Sequence, residues 1–116
     1  MSPERMRRVD EAMRQVLGDA LAADLKDPRV GFVTVTDVKT SPDLRRARVY
    51  VSVLGDATAQ EETLAGLRSA HGYLQGRVAG ELHLKRTPEL VFELDHTAER
   101  AARLEQLLQD EEARRP

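Results

Sequence analysis

Residues 30–54 read VGFVTVTDVKTSPDLRRARVYVSVL. Ala47, Val49, Val51 and Val53 alternate there with Arg48, Tyr50, Ser52 and Leu54. This period of two predicts a strand over 47–54, one face buried and the other at least partly wet. Phe32 to Val38, with Val33, Val35 and Val38 separated by threonines, predicts a partner strand. Thr40-Ser41-Pro42-Asp43 divides the two. Pro42 fixes φ and removes a donor, while Ser41 and Asp43 can bond to local backbone. The pair is therefore expected to be antiparallel, with a connection longer than two residues. That connection is polar and then basic: Lys39, Arg45, Arg46, Arg48. Two strands alone are marginal in water, so other parts of the chain must cover Val49, Val51 and Val53.

Toward the N-terminus, Met6, Val9, Met13, Val16, Leu17, Ala20, Leu21 and Leu25 recur at three and four, which predicts a helix over 4–26. Ser2 can cap it and Pro3 suits its first turn. Asp27-Pro28 is expected to end it, since the residue before proline leaves the α region. Gly31 then lets the chain turn into the first strand. Arg5, Arg7, Arg8 and Arg14 crowd the helix start, against its dipole. They form either a solvated face or a phosphate-contacting arm.

Toward the C-terminus, Gly55-Asp56 closes the hairpin, and Thr58 followed by Glu61 has capping-box spacing. Leu64, Leu67, His71, Leu74, Val78 and Leu82 then keep a helical period from about 59 to 84. Gly66, Gly72, Gly76 and Gly80 interrupt it, each costing up to ~1 kcal/mol relative to alanine. A break is therefore expected at Ala70-His71-Gly72, with the kink at Gly72 and the other glycines allowing tight packing on the sheet. A basic linker, Leu84 to Pro88, leads to Leu90, Phe92 and Leu94, alternating with Val91, Glu93 and Asp95. This third strand should return to the same sheet after the helical crossover. Thr97 is expected to cap a last helix of about 98–112 bearing Ala101, Leu104, Leu107 and Leu108, with Gln109 to Pro116 fraying. The order α-β-β-α-α-β, plus a C-terminal helix, is an α/β chain of the two-layer α+β kind. Residues 1–97 form its domain and 98–116 a peripheral helix and tail.

The chain has 116 residues, 41% of them hydrophobic and 33% charged, enough for one domain with a real core. It contains no cysteine, which excludes disulfides and thiolate metal sites and suits a reducing cytoplasm. No apolar run reaches a membrane span, and the N-terminus is charged where a signal peptide would be apolar. The formal net charge is -2, yet residues 38–50 and 66–88 each hold four basic groups against one acid. Local patches, and not the sum, decide polyanion binding. His71, His83 and His96 lie on different elements, so no metal site is expected. Neither a phosphate-binding glycine loop nor a nucleophile elbow occurs. No cofactor and no enzyme chemistry are expected.

Asp27 to Val38 (DPRVGFVTVTDV), Ser41 to Leu44 (SPDL), Ala47 to Leu54 (ARVYVSVL), Arg68 to Leu74 (RSAHGYL) and Arg86 to Leu90 (RTPEL) resemble, in order, the bacterial ribosome-binding factor A family. The resemblance spans roughly residues 4–108. It implies a type II KH-like domain, with a helix-kink-helix at an Ala-x-Gly, here Ala70, His71 and Gly72, in place of the usual GxxG loop. It also implies a non-catalytic factor for late maturation of the small (30S) ribosomal subunit. Such a factor binds the free subunit near the 5′-terminal helix of its RNA, aids 5′-end processing of 16S rRNA and supports growth in the cold. A ribosome-associated GTPase assists release in some bacteria. The protein is expected to be cytoplasmic and monomeric. This sequence departs from the more basic members of the family, which carry basic residues near the kink where it has His71 and Gln75.

A binding role needs cations. Arg68, Arg77, Lys85 and Arg86 on and after the helix pair are the primary candidates. Arg45, Arg46 and Arg48 near the hairpin, and Arg5, Arg7 and Arg8 on the first helix, are secondary ones. Two other readings are open. Leu104, Leu107 and Leu108 could dock on a protein partner, and His96 with Asp95 or Glu93 could serve a small hydrolase.

Overall fold

The hairpin forms as its pattern requires. In a computed structural model, which describes residues 2–115, β1 (Val33–Thr40) pairs antiparallel with β2 (Arg46–Val53), from Val33 opposite Val53 to Thr40 opposite Ala47. Ala47, Val49 and Val51 are fully buried, while Phe32 and Leu54, expected within the strands, lie outside and exposed. The register shifts between Val35 and Asp37, so Thr36 is an extra residue on β1. That bulge explains how Val35 and Val38, three apart, both reach the core. β3 (Glu89–Leu94) runs parallel to β2, from Glu89 opposite Arg46 to Leu94 opposite Val51, giving the order β1-β2-β3.

Helices α1 (Pro3–Ala23), α2 (Ala57–Ser69) and α3 (His71–Glu81) supply the cover that the valines need. Met13, Leu17, Ala20 and Leu21 of α1, Leu67 of α2, and Leu74 and Val78 of α3 form one core with the sheet's Val35, Val38, Val49, Val51, Leu90 and Phe92. Ser2 caps α1 by accepting from the Arg5 N–H at 3.2 Å. α1 ends at Ala23, short of the expected 26. The reason is polar competition. Asp24 accepts from the Tyr73 hydroxyl at 2.7 Å and pairs with Arg77, while Asp27 accepts from the Arg29 N–H at 2.9 Å in a turn of its own.

Three further expectations change. Asp56, not Thr58, caps α2, accepting from the Ala59 N–H at 2.9 Å. The break between α2 and α3 falls on Ala70 (φ -86°, ψ 6°), not on Gly72, which sits in the first turn of α3. The Ala70 N–H is shared between the carbonyls of Gly66 (3.0 Å) and Leu67 (3.1 Å), a tightening of the last turn that needs no glycine. Gly72, Gly76 and Gly80 face open space. Close packing occurs at Gly66, where an added Cβ would lie 2.6 Å from Val30 Cγ2.

The last helix, α4 (Thr97–Ala113), has His96 at its N-cap with no side-chain cap, and Thr97, expected as the cap, is its first residue. Asp95 accepts from the Thr97 N–H at 2.9 Å and from the Thr36 hydroxyl at 2.6 Å. Helical geometry continues to Ala113, through residues expected to fray, and no described residue of α4 is buried.

Candidate nucleic-acid interface

The hairpin tip is built to hold two arginines outward. The Ser41 N–H donates to Arg46 O at 2.8 Å and the Leu44 N–H to Ser41 O at 2.9 Å. The Ser41 hydroxyl donates to Asp43 at 2.6 Å and accepts from the Arg46 N–H at 3.1 Å. Asp43 also accepts from the Arg45 N–H at 3.1 Å. The Ser41 hydroxyl, then this N–H and the Arg45 charge, hold the Asp43 carboxyl below the usual range. Leu44 turns inward with φ 60° and is only 7% exposed, so it pins the tip to the body.

Two segments close on this tip. The Glu89 N–H donates to Arg45 O at 3.0 Å, which brings residues 86–89 alongside. Gln75 of α3 donates to Pro88 O and accepts from the Leu90 N–H at 3.2 Å, which clamps α3 to the start of β3. The result is an open groove of about 710 Å³. Ser41, Asp43, Arg45 and Arg46 line it from the tip, His71 and Gln75 from α3, and Arg86, Thr87 and Glu89 from the linker. Three guanidinium groups thus face two carboxylates. Arg45 leans on Asp43 at 3.5 Å, while Arg46 and Arg86 are exposed and form no ion pair among the described residues. The His71 Nε2 is buried and has no hydrogen-bond partner in the protein.

The predicted cations therefore separate. Arg45, Arg46 and Arg86 converge on the groove. Arg77 is spent inside the fold: its guanidinium joins α3 to Asp24 and, at 3.4 Å, to Glu81. Arg48 pairs with Glu93 at 3.0 Å and lies 5.7 Å over the Tyr50 ring. Arg68 and Lys85 are exposed and do not line the groove. Arg7 lines a mixed cleft with Asp10, Glu11, Arg14, Asp37 and Lys39, while Arg5 and Arg8 stand exposed beside it on α1. Of the kink residues, Ala70 makes the break, His71 enters the groove and Gly72 faces solvent. Sequence reasoning did not place Ser41, Gln75 or Thr87 in the site. Gln75 was within reach, since it stands one helical turn from His71 on the same face.

The hydrolase candidates are each engaged in other contacts. Glu93 pairs with Arg48 at 3.0 Å, Asp95 serves Thr36 and Thr97, and His96 Nδ1 lies 3.0 Å from Glu99. The Thr36 hydroxyl first, then Thr97, hold Asp95 at about 2, well below a value fit for proton donation near neutrality. Among the described residues no cluster of His, Asp or Glu could hold a metal ion. Among the described residues no helix is long and apolar enough to cross a membrane.

Helices on one face of a small mixed sheet define the class: an α+β module with arginines gathered in an open groove. The family model described as Ribosome-binding factor A matches residues 5–108, and the chain belongs to that family. Three solved structures are similar. The crystal structure of ribosome-binding factor A from Thermus thermophilus shares 27% identity, covering 77% of this chain and 94% of that one at a TM-score of 0.69. The solution structure of a Thermotoga maritima protein, named as a candidate ribosome binding factor A, shares 36% identity, covering 80% and 90% at a TM-score of 0.71. A Thermus thermophilus RbfA homology model fitted into a cryo-EM map of a 30S–RbfA complex shares 28% identity, covering 74% and 90% at a TM-score of 0.62.

Proposed function

We propose that this protein binds the small ribosomal subunit, as in the 30S–RbfA complex of the Thermus factor, that it does so on the free subunit, and that the groove between hairpin tip and helix break grips folded RNA. One observation carries the reading. Arg45, Arg46 and Arg86 come from two distant stretches and are brought to one open cleft. Charge-assisted contacts to phosphates set position and salt dependence there, and the shape of the folded RNA supplies the selectivity. Arg5, Arg7 and Arg8 on α1, with Arg68 and Lys85, form an outer ring of weaker contacts.

A KH-like use of the helix break, with His71 in the cleft, fits this arrangement. Holding the region around the 5′-terminal helix of 16S rRNA would order it for late maturation and 5′-end processing, a step most needed in the cold. Release, assisted by a ribosome-associated GTPase, would complete the cycle in the cytoplasm. The protein would act as a monomer and by binding, without catalysis.

The test is co-sedimentation of the purified protein with purified small subunits over a salt series. The double variant R46E/R86E is expected to keep its circular dichroism spectrum, to lose about tenfold or more in affinity, and to flatten the log K against log salt slope by about 0.7–0.9 per lost phosphate contact. Arg77→Ala is expected to lower stability and leave the slope unchanged. Wild-type binding by R46E/R86E would reject the groove as the RNA site.

A further inference from the structure

Most polar side chains that build the groove are spent on the fold. The Ser41 hydroxyl is shared between Asp43 and the Arg46 N–H, and Gln75 spans Pro88 and Leu90. Further along α3, Arg77 pairs with Asp24 and Glu81. His71 is different. It is the first residue of α3, and its Nε2 is buried with no hydrogen-bond partner among the described residues. The residue as a whole is only half-buried and lines the groove. Burial fixes one edge of the ring, and the rest of it meets the cleft where the arginines gather.

The company this ring keeps decides what it can do. Arg45 and Arg46 from the hairpin tip and Arg86 from the linker line the groove with it, and they oppose a further positive charge. Asp43 from the tip and Glu89 from the start of β3 favour one. Arg68 of α2 is exposed and stands outside the groove. Arginine keeps its charge at every physiological pH, carboxylates ordinarily ionise at about 4, and Ser41, Gln75 and Thr87 do not titrate. Histidine is the one side-chain type in this lining whose charge ordinarily changes between about pH 5 and about pH 8. Three arginines against two carboxylates leave a surplus of one positive charge, and a proton on His71 doubles it.

We propose that His71 is a proton-dependent fourth cation of the groove, so that its grip on RNA phosphates tightens as the pH falls from about 8 to about 6. The protonated ring donates to a phosphate oxygen, a charge-assisted contact that the neutral ring makes only in weaker form. By reciprocity the polyanion favours the protonated ring as much as the protonated ring favours the polyanion. Binding is thereby coupled to the uptake of a proton from solvent, with no covalent bond made or broken. This names the regulation of the groove and rests on its reading as the RNA site.

The test titrates purified small subunits with the full chain at those two pH values, each over a salt series. The unaltered protein is expected to bind about tenfold more tightly at the lower pH. Its log K against log salt slope should steepen there by about 0.7–0.9, the mark of one added phosphate contact. His71→Gln, polar but uncharged, is expected to lose both responses. H83Q/H96Q is expected to keep both, since His83 is exposed outside the groove and His96 lies 3.0 Å from Glu99. His71→Lys, a cation at either pH, is expected to bind at the higher pH as tightly as the unaltered protein does at the lower. Circular dichroism at both pH values checks that each variant is folded, and where H71Q is not, H71K carries the test. A pH response in H71Q equal to that of the unaltered protein, or one that persists in H71K, overturns the proposal. So does loss of the response in H83Q/H96Q. Undiminished binding by R46E/R86E would reject the groove and this role with it. Weakened binding by R46E/R86E beside an unchanged pH response in H71Q would leave the groove standing and remove His71 alone.

Discussion

Leu44 is the residue on which the site's geometry rests. It holds φ at 60° and is 7% exposed, so a side chain that disfavours the left-handed region is kept there by its burial. Left-handed geometry costs an L-residue about 1–2 kcal/mol, while truncating a buried leucine costs about 2–5 kcal/mol. Leu44→Ala keeps the first cost and adds the second. Leu44→Gly loses the same burial but removes the crowding, against its own entropy cost of about 0.5–1 kcal/mol. Glycine is therefore expected to equal alanine or exceed it in stability by up to about 1 kcal/mol, the reverse of the usual order, as read from urea denaturation. Pro42 and Asp43 made the turn legible in the sequence. Leu44 did not, because its burial and its φ of 60° depend on the folded tip and not on its own preference. Arg77 was hidden for a similar reason: its carboxylate, Asp24, comes from another helix, and a charge count along the chain sees only a free cation.

Among the elements, the strands and helical stripes were legible and their ends were not. A period of two needs only neighbours along the strand, and Ala47, Val49 and Val51 obey it. The spacing of three between Val35 and Val38 was itself the mark of the bulge at Thr36. Helix starts depend on side-chain oxygens that take backbone donors, and here Asp56 and Asp95 take those at the starts of α2 and α4. Glycine count suggested the break between α2 and α3 but placed it two residues late. Mutation should separate the two kinds of glycine. Gly66→Ala drives a Cβ to 2.6 Å from Val30 and is expected to lose about 1–3 kcal/mol. Gly76→Ala meets nothing and is expected to add about 0.5–1 kcal/mol. Thermal melts of the two variants should move in opposite directions.

For the whole molecule, the net charge of -2 conceals a local concentration, since Arg45, Arg46 and Arg86 share one groove. Asp95 is the joint between body and helix, bonded to Thr36 of β1 and to the first N–H of α4. Its carboxyl is lowered from 3.8 to about 2, chiefly by the Thr36 hydroxyl. A depressed folded value means that the contribution is complete above the ordinary carboxylate range and is lost as pH falls from about 4 through about 2. The Thr97 amide shift is therefore expected to titrate near 2, and a midpoint at 3.8 would show that the joint is not made.

The bulge at Thr36 has one more effect. β1 is an outer strand of the sheet, with a row of backbone donors and acceptors on its far side. The extra residue puts that row out of phase partway along, and Lys39 adds charge near its end. A strand from a neighbouring molecule cannot zip along it in register. Along this edge, crowded chains are thereby denied the straight template from which fibrils grow.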